Sequence, residues 1–227
     1  MSKRDFFVES HISSKELNNQ SVSLVIPRLT RDKIHNVLYY KVNLTSTSLR
    51  GNTMLQLSKI IIRDLGQLKD SNSLKNYLVG GVEFKCLLMK LIEIRPTFDQ
   101  ITMLLEKKKS PDDTFENKYI VALILTYLRI QYYYLKLHDA SHLINLFREY
   151  INDYRKLKGI DMDMDCWSMS QQLKVEIIHI DELVDRLATN NNIWGIPLGK
   201  CQWSNIFELD DESDSGSDSS SGDSDSD

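Results

Sequence analysis

The sequence predicts an all-α fold: a single compact multi-helix domain that carries at most one small β-hairpin and ends in a disordered acidic tail. Apolar side chains recur at helical spacing through most of the chain, and 41% of its 227 residues are hydrophobic, which is enough for one buried core. The segment from residue 210 to 227 contains eight Asp or Glu and no Lys or Arg, so it cannot bury enough apolar surface to offset the entropy of ordering. We therefore expect a flexible N-terminus over residues 1–17, a helical domain over residues 18–209 and a disordered tail over residues 210–227.

The first half of the chain contains helices with recognisable start and stop signals. Thr30 offers a hydroxyl cap for the first helix, and Gly66 ends the second. Pro96 has no N–H to donate, so it ends the third helix. The predicted helices span residues 30–42, 52–65, 80–95 and 98–106.

The second half of the chain is organised around a predicted central helix. Residues 116–137 are apolar almost all round for three turns, as expected for a helix surrounded by others. The segment His138–Ser141 is predicted to turn the chain. Apolar residues then step by four and three positions as far as Leu157, which predicts a further helix capped by Gly159.

The C-terminal part of the domain is where we expect the one small hairpin. Residues 175–180 form a predicted short strand that leads into a helix over residues 181–188. A second short strand around residues 193–198 is expected to pair with the first.

Positive charge is concentrated near the N-terminus of the domain. The formal net charge of -4 arises from the tail, and the segment from Ser21 to Ile62 contains six Lys or Arg against one acid, Asp32. Such an excess indicates a surface that contacts RNA phosphate or an acidic partner peptide, although a face that only maintains solubility has the same composition. The candidate contact residues are Arg28, Arg31, Lys33, Lys41 and Arg50.

Signals of catalysis are weak. The string His138-Asp139-Ala140-Ser141-His142 resembles the H-E-x-x-H zinc motif, but aspartate replaces the glutamate, the segment is predicted to be a turn, and no third ligand follows at a recognisable spacing. His179 beside Asp181 is more typical of a histidine at a helix cap. No phosphate-binding glycine loop occurs. We expect no catalytic residues, no metal and no cofactor.

Targeting and redox signals point to a reducing compartment. Cys86, Cys166 and Cys201 are odd in number and widely spaced, so no disulfide framework is predicted. The most apolar run is interrupted by Arg129 before it reaches the roughly 20 residues that a membrane helix requires. We expect neither secretion nor a membrane partner.

The tail contains candidate phosphorylation sites. Ser215, Ser220 and Ser224 each have Asp three residues later, which is the pattern of acidophilic kinases. Phosphorylation would add nearly two negative charges at each site. An unmodified solubilising tail has the same composition.

Several strings resemble conserved blocks of the pre-mRNA-splicing factor 38 family, in the same order along the chain. The string Trp194-Gly195-Ile196-Pro197-Leu198 is similar to the fungal branch in particular. The other matching blocks are Asn18–Val22, Ile26–Ile34, Phe84–Pro96, Asn152–Lys158 and His179–Leu183.

This resemblance implies a non-enzymatic component of the spliceosome in the nucleus. It implies a place in the tri-snRNP or pre-catalytic complex, and a scaffold role at the step where small nuclear RNAs are unwound and the active site forms. The implied partners are a matrin-type zinc-finger protein and a long helical protein that resembles microfibrillar-associated protein. Animal members often continue into an arginine/serine-rich tail, so roles of that extension do not transfer to this acidic ending.

Overall fold

A computed structural model describes residues 26, 28–68, 78–106, 115–132, 137–164 and 172–198. Within these ranges the protein is mostly helical, with eight helices and three pairs of short strands. The helices are α1 (Arg28–Asn36), α2 (Leu38–Asn43), α3 (Met54–Leu65), α4 (Val82–Ile94), α5 (Phe98–Leu105), α6 (Lys118–Gln131), α7 (Leu137–Tyr150) and α8 (Ile180–Thr189). The strands are β1 (Gln67–Leu68), β2 (Phe115–Glu116), β3 (Lys156–Ile160), β4 (Val175–His179), β5 (Asn192–Ile193) and β6 (Ile196–Pro197).

Helix α6 is the centre of the core. Every side chain from Tyr119 to Gln131 is buried, and α3, α4, α5 and α8 all pack against this helix. The predicted central helix is therefore present, although it ends at Gln131 and not near residue 137. A helix that is buried on all sides needs apolar residues on all faces, and this is the pattern from which it was predicted.

The N-terminal helices end largely where local signals place them. The first helix begins at Arg28, so Thr30 lies within α1 and the prediction that it caps this helix is wrong. The Thr53 side chain accepts from the backbone N–H of Gln56 and caps α3, and Gly66 follows its last residue. The predicted helix over residues 30–42 is interrupted, because Val37 has extended backbone angles between α1 and α2. This break allows both short helices to pack against α4.

The prediction of a mostly helical domain is confirmed, but the strict all-α class with at most one hairpin is not. The described residues form three separate two-stranded antiparallel sheets. Strand β4 pairs with β3, and not with residues 193–198. That last segment forms its own hairpin from β5 and β6, in which Trp194 and Gly195 take up the turn with φ of 51° and 73°. Positive φ at both central residues suits the right-handed twist of a hairpin.

The segment between α6 and β3 also differs from the prediction. Helix α7 already includes residues 138–141, so the predicted turn at His138–Ser141 is wrong. The same helix ends at Tyr150, and the residues near Leu157 form β3 and not its last turns. Leu157 and Gly159 are buried while Lys156 and Lys158 are exposed, which is the alternation of a half-buried strand.

Trp194 anchors the β5–β6 hairpin in the core. Its indole Nε1 donates to the Ile160 carbonyl at 3.2 Å, and its ring meets Phe84 edge-on at 5.4 Å. Gly80 has φ of 76°, and a Cβ at this position would lie 2.4 Å from the Trp194 ring. Only glycine therefore allows this close packing.

Among the described helices, none combines the length and the apolar character needed to cross a membrane. Two predicted regions lie outside the described residues. One is the N-terminus over residues 1–17, predicted to be flexible, and the other is the tail over residues 210–227, which contains Ser215, Ser220 and Ser224.

Candidate partner-binding surface

The five predicted contact residues are distributed over α1, α2 and the loop that follows. Arg28 and Lys33 lie on α1, Lys41 lies on α2, and Arg50 lies in the loop before α3; all four are exposed. Arg28 forms an ion pair with Asp32 at 3.7 Å. These positions give the surface its cations, but they do not converge on a single point.

Arg31 does not belong to this exposed surface. It is only 9% exposed and lies on the buried side of α1 with Thr30 and Ile34. Lys33 is two positions later, which on a helix is the opposite side, and is exposed. The prediction that Arg31 is available to a partner therefore conflicts with its burial.

The end of α2, the following loop and α3 together form a groove, which we call the basic groove. Arg50 and Lys59 contribute exposed cations from the loop and from α3, and Arg63 adds a third one turn further along α3. The cavity volume is ≈ 330 Å³. The groove is lined by Val42, Asn43, Ser48, Leu49, Arg50, Gln56, Lys59, Ile60 and Arg63.

Local backbone geometry positions Arg50 at this groove. Its φ is 48°, in the left-handed region that a non-glycine residue rarely adopts, and Gly51 follows with φ of 111°. The loop is held by hydrogen bonds from Leu49 and Gly51 to the carbonyls of Thr45 and Ser46. The turn therefore presents the arginine from a fixed backbone.

The three cations of the groove differ in their partners. Arg63 donates to the Asp64 carboxylate at 2.6 Å and to the Asn43 side-chain oxygen at 3.0 Å. The side chains of Arg50 and Lys59 make no ion pair within the described ranges. These two charges are therefore available to an anionic group, while Arg63 is already oriented by its neighbours.

Exposed apolar side chains lie on both helices that form the groove, α2 and α3, and one of them, Val42, lines it. Leu38 and Val42 lie one turn apart on α2, with 75% and 59% of their surface exposed. Leu55 and Ile62 lie two turns apart on α3, on the face that also carries Lys59. Clusters of exposed apolar residues beside charges are typical of sites that bind another protein.

A buried polar network holds α1 and α2 against α4 beneath this surface. The Glu93 carboxylate accepts from Lys90 Nζ at 2.8 Å and from the Tyr40 hydroxyl at 2.8 Å, and it contacts His35 Nε2 at 3.0 Å. Burial acts to raise the pKa of Glu93, but the hydrogen bond with His35 and the positive charge of Lys90 outweigh it and hold the pKa below its ordinary value. Glu93 is therefore ionised and fixes both short helices.

A second hydrogen bond joins α2 directly to α3. The Tyr39 hydroxyl donates to the Asp64 carboxylate at 2.6 Å, and the same carboxylate accepts from Arg63. Burial and the neighbouring Asp64 raise the pKa of Tyr39 well above its ordinary range, so its hydroxyl keeps its proton. The two walls of the basic groove are thereby tied together.

The histidines considered for metal binding lie on α7. Because α7 is helical at this point, His138 and His142 are one turn apart on its backbone. His142 is exposed, and its ring centroid lies 6.1 Å from that of Phe98. No group of three or more potential His, Cys, Asp or Glu ligands occurs within the described part of the chain. His179 lies at the N-terminus of α8, where its backbone N–H donates to Glu182.

Sequence reasoning missed two members of the basic groove. Lys59 contributed to the charge excess but was not proposed as a contact residue, and Arg63 lay just outside the basic segment. Both lie on one face of α3, four residues apart. That spacing within the predicted helix over residues 52–65 could have identified them.

The fold and the surface define a helical domain built around one buried helix, with a basic and partly apolar groove at its N-terminal end. The chain belongs to the PRP38 family, which its residues 15–211 match. The resemblance to the pre-mRNA-splicing factor 38 family is therefore confirmed.

Two relatives and one solved structure illustrate this membership. The chain is 54% identical to Pre-mRNA-splicing factor 38 of Saccharomyces cerevisiae, over 94% of this chain and 91% of the relative. It is 20% identical to Pre-mRNA-splicing factor 38A of Xenopus laevis, over 84% of this chain and 51% of the relative. A chain of the crystal structure of the Snu23-Prp38-MFAP1(217-258) complex of Chaetomium thermophilum has a similar fold, with a TM-score of 0.58, 18% identity and 84% of each chain covered.

Proposed function

We propose that this protein is a non-enzymatic component of the spliceosome that acts in the nucleus as a protein-interaction scaffold. Its place is the tri-snRNP or pre-catalytic complex, during catalytic activation and the unwinding of small nuclear RNA. Membership of the PRP38 family supports the role in splicing, as does the name of a yeast relative that is 54% identical.

The proposed partners are a zinc-finger protein of the matrin type and a helical protein that resembles microfibrillar-associated protein. The structural neighbour was crystallised in a complex whose other components are Snu23 and residues 217–258 of MFAP1. A short segment of a partner is compatible with a groove of the size found here. This likeness supports, for the present chain, binding of partner segments to its folded domain.

The observation that carries the scaffold role is the combination of charge and apolar surface at the basic groove. RNA phosphate would satisfy Arg50 and Lys59, but it would leave Leu38 and Val42 exposed to water. An acidic and apolar partner peptide covers both kinds of side chain at once. We therefore favour a protein segment over RNA as the occupant of the groove.

Affinity purification of the full chain, followed by identification of bound proteins and RNA, tests this proposal. We expect spliceosomal proteins to be recovered, and the direct protein partners to remain bound after ribonuclease treatment. Recovery without any spliceosomal component would refute the spliceosomal role. Loss of every partner on ribonuclease treatment would indicate that RNA, and not protein, occupies the surface.

A further inference from the structure

The β3–β4 hairpin lies outside the basic groove and has an open edge. Strand β3 is flanked on both sides, by β4 and by Val79, whose N–H donates to the Lys158 carbonyl at 2.9 Å and whose carbonyl accepts from Ile160 at 3.0 Å. Within the described ranges no strand lies on the other side of β4. Among the described residues β4 is therefore the edge of the sheet, with no strand bonded to the backbone groups on its outer side.

The two faces of this hairpin differ in burial. Leu157 and Ile178 lie opposite each other on the inner face and are buried in the core. On the outer face Ile177 lies opposite Lys158 and is 66% exposed, and Val175 is 54% exposed. The inner face thus fixes the strand in place, while the outer face presents β-branched apolar side chains to solvent.

Natural edge strands are often protected by charged side chains, proline, a bulge or short length. Strand β4 has no lysine and no proline, and its protection is limited to its length of five residues and to Glu176. Its one acid, Glu176, already forms an ion pair with Lys174 at 2.6 Å. Lys156 and Lys158 lie on the neighbouring strand with exposed side chains and form no ion pair within the described ranges. The exposed lysines of β3 therefore lie beside the exposed apolar residues of β4.

We propose that β4 binds an extended segment of a partner protein, which adds to the sheet as a further strand. The segment carries both apolar and acidic residues at every second position, because only these positions lie on the outer face of the sheet. Its apolar side chains cover Val175 and Ile177, and its carboxylates pair with Lys156 and Lys158. The open backbone edge favours an extended segment, because a helix has no free backbone groups to donate to it. A nucleic acid would leave Val175 and Ile177 uncovered. This inference does not depend on the basic groove.

Amide NMR of the isotope-labelled full chain tests the proposal with a synthetic peptide in which every second residue is Val or Glu and the residues between them are Thr, so that Val and Glu lie on the same face. A second peptide of identical sequence, N-methylated at every residue, has no amide N–H to donate on either edge and cannot pair as a strand. We expect the first peptide to shift the amide signals of β4, and the second to have no effect. Val175→Thr with Ile177→Thr keeps the strand propensity and should weaken binding about tenfold. Met103→Gln, at an exposed apolar position on α5, is the matched control and should bind as wild type.

Several results would overturn the proposal. Equal binding of the N-methylated peptide would exclude strand addition, and loss of binding in Lys59→Glu but not in the double threonine variant would place the peptide in the basic groove. Slow hydrogen exchange along the outer edge of β4 in the free monomer would mean that this chain covers its own edge. Dimerisation that the threonine variant abolishes would make a second copy the occupant.

Discussion

The buried guanidinium of Arg129 donates a hydrogen bond to the backbone carbonyl of Leu198, with Nη1 and O 2.7 Å apart. Its Nε also donates to the Leu187 carbonyl at 2.6 Å, near the C-terminus of α8. Arg129 is fully buried on α6, so it connects the central helix with the end of α8 and with the β5–β6 hairpin. A cation at a helix C-terminus is further favoured by the helix dipole.

Replacing Arg129 by Met should destabilise the domain strongly. The substitution leaves buried carbonyls without a donor, and we expect a loss of about 3 kcal/mol in the free energy of unfolding. Urea denaturation of the full chain measures this loss, with Lys33→Gln on the exposed side of α1 as the control. A loss below about 0.5 kcal/mol would show that water replaces the guanidinium.

Acid should weaken the contact between α4 and the first two helices. Because the pKa of Glu93 is lowered in the folded protein, its contribution is fully present above the ordinary carboxyl pKa of 4.5 and is lost as the pH falls through the lowered value. We expect the urea midpoint to fall between about pH 5 and pH 3 in the wild type, and less steeply in Glu93→Gln. Identical slopes for the two proteins would show that Glu93 is not the group responsible.

Charge reversal at two positions on α1 should change stability by different amounts, because Arg31 is buried and Lys33 is exposed. Arg31→Glu places a carboxylate where the side chain is 9% exposed, and we expect a loss of about 3 kcal/mol or more in stability. Lys33→Glu should change stability by no more than about 0.5 kcal/mol. Circular dichroism during thermal unfolding distinguishes the two variants, and equal behaviour would contradict the burial of Arg31.

The two histidines on α7 test the alternative of a metal-dependent hydrolase. We expect His138→Ala with His142→Ala to leave splicing and stability nearly unchanged, because His142 is exposed and an exposed substitution shifts stability by about 0.5 kcal/mol or less. Elemental analysis of the purified wild type provides the second readout. Stoichiometric zinc that is lost in the double variant together with activity would refute the scaffold-only account.

The helices of the first half could be predicted because their signals are local. A stop at Gly66 and a proline after Arg95 act within a few residues, and α3 and α4 end where these signals place them. The central helix was also predictable, because a helix that is buried on all sides has apolar residues on all its faces, and this pattern is visible in the sequence.

The hairpins could not be predicted because strand pairing is not local. Leu157 continues the apolar spacing of α7, so helix and strand both account for its burial, and only the pairing with Ile178 decides between them. The turn at Trp194 and Gly195 lacks the Asn-Gly or Asp-Gly sequence that usually marks it. The basic groove was partly predicted from charge. The turn at Arg50 brings this residue to the same groove as Lys59 and Arg63, and the charge pattern alone does not show that turn.

The most direct test of the account is the recovery of spliceosomal proteins and small nuclear RNA with Arg50→Glu combined with Lys59→Glu, across a salt series. Both side chains are exposed, so we expect the circular dichroism spectrum to match wild type. The control is Arg186→Glu, a charge reversal at an exposed position on α8 that is neither in the groove nor among the predicted contact residues. The account predicts that the groove variant loses spliceosomal proteins while the control retains them. The difference from wild type is largest at low salt, because added salt screens the charges in both proteins. Wild-type recovery of the groove variant at every salt concentration would contradict it.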